Sequence, residues 1–198
     1  MLPAGQAGAG REAGYILSIP NLITLGRILL VPIVVWAIAT PGAMWIAFVL
    51  FVVAGVSDAV DGFLAKRFGM TTELGAYLDP LADKALIVSI YISLSIIEAI
   101  PRWLVILVVS RDILIVGGIM LSWVMGSPLK IKPLLVSKLN TVAQIMFACV
   151  VLGSLGFDIQ ADMLKLVLMG LVAALTLLSV AAYVAEWVRH MNSAMAGQ

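Results

Sequence analysis

Hydrophobic runs long enough to cross a bilayer recur six times in this 198-residue chain, separated by short polar breaks. They cover roughly Leu22 to Ala39, Ala43 to Lys66, Gly75 to Ala99, Arg102 to Met125, Lys138 to Leu155 and Asp162 to Arg189. An α-helix rises 1.5 Å per residue, so about 20 apolar residues match a hydrocarbon core of roughly 30 Å. Hydrophobic residues make up 63% of the chain and charged ones 12%, far from the balance of a soluble domain. The expected fold is an all-α integral membrane protein of six transmembrane helices with a short N-terminal juxtamembrane segment. Residues 1–20 read as a flexible N-terminus and juxtamembrane segment, 21–190 as the six-helix domain and 191–198 as a tail.

The small, flexible residues 1–14 do not resemble a charged leader, and Asn21 is a candidate N-cap for the first span. Ala37-Ile38-Ala39 imitates a signal-peptidase site, but Arg27 interrupts the run before it and five more spans follow. With six spans, one side holds Arg11, Lys66, Arg67, Lys130, Lys132, Lys138 and Arg189, and the other only Arg102 and Lys165. The positive-inside rule then puts both termini and the Lys66 to Gly75 turn in the cytoplasm. Trp36, Trp45 and Trp103 fall near the outer interface, and Trp123 and Trp187 near the inner one. A net charge of +1 supplies no basic patch for nucleic acid. Cys149 sits in an apolar run, as a core or lipid contact does.

Four carboxylates interrupt this apolar text: Asp58, Asp61, Asp79 and Asp83. Their separations of three and four residues put each pair on one helical face. In an antiparallel hairpin about the Lys66 to Gly75 turn, Asp58 is level with Asp83 and Asp61 with Asp79. Ionised carboxylates at membrane depth cost a few kcal/mol each, on the order of insertion scales, so four together require cations. Pairing with Lys66, Arg67, Lys84 and Arg111 is too little to neutralise them in one place. Oxygen donors favour hard divalent ions, and the single Cys and single His lie far away. Two magnesium ions, with manganese as the alternative, balance four negative charges and make a diphosphate ester the natural guest. Gly62, Ala65 and Gly75 leave room for a ligand near the backbone, and Glu73 in the turn reads as a solvated charge.

Two further polar features stand out. Asn21, Thr24 and Arg27 form a stripe on the first helix, and Arg27 is placed to meet a phosphate or an aspartate. Arg111 and Asp112 form a charge pair deep in the fourth helix. With Lys130, Lys132 and Lys138, Arg111 could line a second anion pocket beside the carboxylates, suited to an acceptor that carries phosphate.

The stretch Asp58-x2-Asp61-Gly62-x2-Ala65-Lys66-x8-Gly75-x3-Asp79-x3-Asp83 resembles the signature of the CDP-alcohol phosphotransferase family. The departure is Lys66 in place of arginine, which keeps the charge but loses the bidentate fork, and Arg67 could share its role. The resemblance implies that Asp58, Asp61 and Asp79 hold the metals, and that Asp83 joins them and acts as general base. Gly62, Ala65, Lys66 and Gly75, with Asn21 and Thr24, would shape the CDP site, and Arg27, Arg111, Lys132 and Lys138 would serve the acceptor and its phosphate. It implies attack by an acceptor hydroxyl on CDP-diacylglycerol with release of CMP, in a membrane that is bacterial and inner by this reading. Family members are often homodimers, and Gly117-Gly118 and Gly153-x2-Gly156 permit close helix contact.

Two subfamilies share the entry Ile19-Pro20-Asn21-x2-Thr24-x2-Arg27. Phosphatidylglycerophosphate synthases, which use glycerol 3-phosphate, show Arg-Glu in helix 4 and Gly-Lys-x-Lys-Thr before helix 5. Ser110-Arg111-Asp112 and Ser137-Lys138-x-Asn140-Thr141 look instead like CMP-forming cardiolipin synthases. Asn140 replaces a second cation, which favours phosphatidylglycerol, with its singly charged phosphodiester. Intramembrane prenyltransferases need more spans and other aspartate spacings, and a cation transporter lacks support from any inverted repeat.

Overall fold

The computed structural model describes residues 19–68, 73–124 and 135–196, with side chains described at 25–58, 60, 82, 84–115, 117 and 135–186. Six helices lie among them: α1 (Ile19–Ala39), α2 (Met44–Phe68), α3 (Glu73–Ile96), α4 (Arg102–Val124), α5 (Leu135–Gly156) and α6 (Asp162–Ala196). The limits follow the apolar runs to within a few residues, α3 ending at Ile96 and α5 starting at Leu135 instead of at Ala99 and Lys138, and three further differences have a local reason. Helix α1 is already helical at Ile19, so Asn21 lies inside the first turn instead of capping it. Pro20 explains this, because its fixed φ and missing N–H suit a first turn. Glu73, expected in a turn, is the first residue of α3. Helix α6 runs on through Met191, Ala194 and Ala196, good helix formers that the end of the apolar run does not stop.

The chain divides into two compact units, one up to Ile90 and one from Tyr91. In the first unit α1 and α2 pack together. Their seam is made of Val34, Ala37 and Ile38 on α1, Ala43 just before α2, and Ala47, Phe51 and Ala54 on α2, all buried. Alanine at four of these positions lets the two backbones approach. The connection needs only a few residues, with Gly42 at φ 79° and Thr40 Oγ1 donating to the Trp36 carbonyl at 2.8 Å.

In the second unit α6 packs against both α4 and α5. Leu104 and Val108, Phe147 and Leu152, and Leu168 and Val172 fill its core. Tyr91, at the end of α3, stacks tilted against Phe147 with ring centroids 6.1 Å apart and donates its hydroxyl to the Gln144 carbonyl at 3.1 Å. Two helix ends here close in the same way. Glu98 at φ 60° and Asp158 at φ 53° are left-handed, and the next residues, Ala99 and Ile159, donate to Leu94 O at 2.9 Å and Ser154 O at 3.0 Å. This six-to-one closure satisfies carbonyls that a helix end otherwise leaves orphaned.

The outer faces are apolar: Leu29, Ile106, Met163 and Val167 are each more than 60% exposed. So much exposed hydrocarbon fits an apolar surrounding, not water. Helix α5 and the Asp162–Glu186 part of α6 are long and apolar enough to cross a membrane. Trp36, Trp45 and Trp103 are exposed at helix ends. Among the described residues, a side chain added at Gly117 meets nothing within 4 Å.

Candidate active site

In the first unit the aspartates follow from helix geometry. Helix α2 continues through Phe68 without a break, so Asp58 and Asp61 share a face three residues apart. Helix α3 holds Asp79 and Asp83 one turn apart. Side-chain placement is described for Asp58; those of Asp61, Asp79 and Asp83, and of Gly62, Ala65, Lys66, Gly75, Asn21 and Thr24, lie outside the described residues, as does all of Lys132.

Arg27 reaches Asp58 across the α1–α2 seam, with Nη2 at 2.8 Å from Oδ1. The register explains the meeting. Arg27 lies twelve residues before the end of α1 and Asp58 fourteen after the start of α2, so both stand about 20 Å from the connection at 1.5 Å per residue. The aspartate was one of the two partners expected for this arginine. The Arg27 side chain is only 3% exposed and that of Asp58 44%, so the arginine is sealed while the aspartate keeps an open side.

These positions fit a divalent cation on the chemistry of the donor set. All four are carboxylates, the partners that magnesium and manganese prefer, and Asp58 keeps an exposed side. Four carboxylates on one apolar helix pair carry more negative charge than Arg27 alone balances.

The second unit contains a different polar centre. Arg111, 2% exposed, donates from Nη1 to Asp112 Oδ1 at 2.5 Å, from Nε and Nη2 to Ser179 Oγ at 3.2 and 3.0 Å, and from Nη2 to Ser137 Oγ. One guanidinium thus ties α4 to α5 and α6. Beside it on the same face of α5, Asn140 is fully buried and accepts from Thr176 Oγ1 at 3.0 Å, while Lys138 is exposed. The deep Arg111–Asp112 pair was legible beforehand, whereas the roles of Ser137, Thr176 and Ser179 were not. Their signal was spacing: Ser137, Asn140 and Gln144 on α5, and Thr176 and Ser179 on α6, recur at helical intervals in otherwise apolar text.

The family model for CDP-alcohol phosphatidyltransferases matches residues 17–180. A rice (Oryza sativa subsp. japonica) chloroplastic CDP-diacylglycerol–glycerol-3-phosphate 3-phosphatidyltransferase is 37% identical over 192 residues, covering 88% of this chain and 57% of its own. Human cardiolipin synthase (CMP-forming) is 30% identical over 193 residues, 88% of this chain and 64% of the human one. The Bacillus subtilis CDP-diacylglycerol–glycerol-3-phosphate 3-phosphatidyltransferase is 32% identical over 158 residues, 72% of this chain and 80% of its own. The chain thus spans a little over half the length of the rice relative. A family match across most of the sequence, on a six-helix chain with the aspartates in α2 and α3, shows that it belongs to the CDP-alcohol phosphatidyltransferase family.

Proposed function

We propose that this chain is a divalent-metal-dependent phosphatidyltransferase of phospholipid synthesis. It transfers the phosphatidyl group of CDP-diacylglycerol to an acceptor hydroxyl and releases CMP. All six helices cross the membrane, a bacterial inner membrane, with both termini and the aspartates toward the cytoplasm. The observation that carries the reading is a set of four carboxylate positions on two helices, one of which, Asp58, is held by a buried arginine and open on its other side.

Asp58, Asp61 and Asp79 hold two divalent ions, and Asp83 joins them. When bound, magnesium or manganese supplies Lewis-acid stabilisation of the charge that builds on the diphosphate oxygens. Gly62, Ala65, Lys66 and Gly75, with Asn21 and Thr24, seat the CDP moiety. Asp83 takes the proton of the acceptor hydroxyl as its oxygen bonds to the phosphorus that carries diacylglycerol; the bond from that phosphorus to the CMP oxygen breaks, and CMP leaves.

Phosphatidylglycerol is the leading acceptor, which makes the reaction cardiolipin synthesis. Asn140 is neutral, its Oδ1 accepting from Thr176, where a glycerol-3-phosphate enzyme would carry a cation, and the charge of Arg111 is balanced by Asp112. Lys132 and Lys138 then face a phosphodiester of one charge. The higher identity to the rice relative favours the second reading, glycerol 3-phosphate. Purified protein with CDP-diacylglycerol and magnesium, given each acceptor separately, decides. Cardiolipin and CMP from phosphatidylglycerol are expected; product from glycerol 3-phosphate alone overturns the acceptor, and CMP release with neither overturns the function.

A further inference from the structure

Arg27 touches Asp58 directly, and its placement is unusual for a phosphate ligand. Its side chain is 3% exposed and sits behind Asp58, on the α1 side of the pair, while Asp58 is 44% exposed. A guanidinium that waits for a substrate phosphate would stand open; this one is buried, with Nη2 against a carboxylate oxygen. We infer that Arg27 is a built-in counter-cation of the metal site: it holds Asp58 Oδ1, sets the orientation of that carboxylate, and weakens the site's affinity for divalent ions by sharing its charge. This rests on Asp58 being a metal ligand.

Two effects oppose each other. Losing Arg27 frees the Asp58 carboxylate to rotate, which loosens a metal ligand. It also removes a positive charge in direct contact with that ligand. A charge-assisted hydrogen bond in a low-dielectric setting fixes geometry modestly, whereas like-charge repulsion between guanidinium and divalent ion, a few ångströms apart around one carboxylate, is the larger effect. Removing Arg27 therefore tightens metal binding. The arginine's use is to keep the ions exchangeable and to prevent an unloaded aspartate cluster from carrying its full negative charge between helices. Its partnership with Asp58 also pins the seam between α1 and α2, so its charge and its position act on the same carboxylate.

The test is manganese binding to the purified full chain in detergent, followed by electron paramagnetic resonance after removal of bound metal. Arg27→Gln is expected to tighten manganese binding about tenfold, and Arg27→Lys, which keeps a charge but reaches less far, two- to threefold in the same direction. In an Asp58→Asn background the Arg27→Gln effect is expected to shrink, because the carboxylate that holds arginine and ion close together is gone. Unchanged or weaker manganese binding in Arg27→Gln, or an Arg27→Gln effect undiminished without Asp58, overturns the inference; weaker binding in the lysine variant does so if the glutamine variant does not fold. Failure of Asp58→Asn itself to weaken manganese binding overturns the metal-site reading instead, so the two failures are told apart.

Discussion

Two arginines lie deep in apolar helices, each beside an aspartate, and the chain treats them in opposite ways. Arg111 is closed: its donors reach Asp112 on its own helix, Ser137 on α5 and Ser179 on α6, and both charges are nearly inaccessible. Arg27 is half of an open pair, with the arginine buried and Asp58 exposed on one side. A buried charge with every donor engaged fixes helices in place, because nothing outside can compete for it. A pair with one open carboxylate can take another cation. Under the proposed function, the difference separates a fastening from a site.

The largest expected effect breaks this comparison at the aspartates. Asp58→Asn should lower CMP release by about a thousandfold or more, the scale of losing a metal ligand or a principal electrostatic group. Asp112→Asn should leave turnover of the folded fraction close to wild type and reduce thermal stability instead. Within the first unit, Asp83→Asn should abolish turnover yet preserve CDP affinity better than Asp58→Asn, measured by calorimetric titration; equal losses would erase the division between base and metal ligand.

Stability sharpens the same contrast. Arg111→Met removes the counter-charge of buried Asp112 and should cost about 3–5 kcal/mol, the penalty for breaking a buried pair. Arg27→Met leaves Asp58 partly exposed and should cost about 1–2 kcal/mol in metal-free protein. Unfolding midpoints in detergent with chelator would measure both, and equal losses would show that the two arginines do the same work.

A smaller effect lies inside the second unit. Thr176→Val removes the donor to Asn140 and should cost about 1 kcal/mol, in the range of interhelical hydrogen bonds in membranes. Adding Asn140→Leu should recover part of it, since an apolar pair leaves no unmet acceptor. The smallest effect belongs to Glu98 and Arg102, 3.6 Å apart with side chains about 80% exposed. Glu98→Gln should shift stability by less than about 0.5 kcal/mol.

The sequence discloses these regions unequally, for physical reasons. Helix limits were readable because spanning length and apolar content set them directly; Arg102 begins both the expected and the observed fourth helix. Asn21 misled because a side chain able to cap says nothing of whether the helix starts earlier, and Pro20 permits that start. Arg27 and Asp58 were each conspicuous as charges in apolar text, and the short connection between α1 and α2 left them one place to meet. The fastening around Arg111 was half visible. Its charge pair is adjacent in sequence, but Ser137 and Ser179 lie 26 and 68 residues away, and a serine in a helix gives no hint of a distant partner until helices α4, α5 and α6 are assembled. Local periodicity finds faces; it does not say which faces touch.

The central claim is that Asp58, Asp61, Asp79 and Asp83 bind divalent ions together. Anomalous diffraction from crystals grown with manganese tests it most directly. The account predicts strong peaks about 2.1 Å from carboxylate oxygens of these four residues, with Arg27 still against Asp58. Manganese bound elsewhere while the four carboxylates stay bare would contradict it.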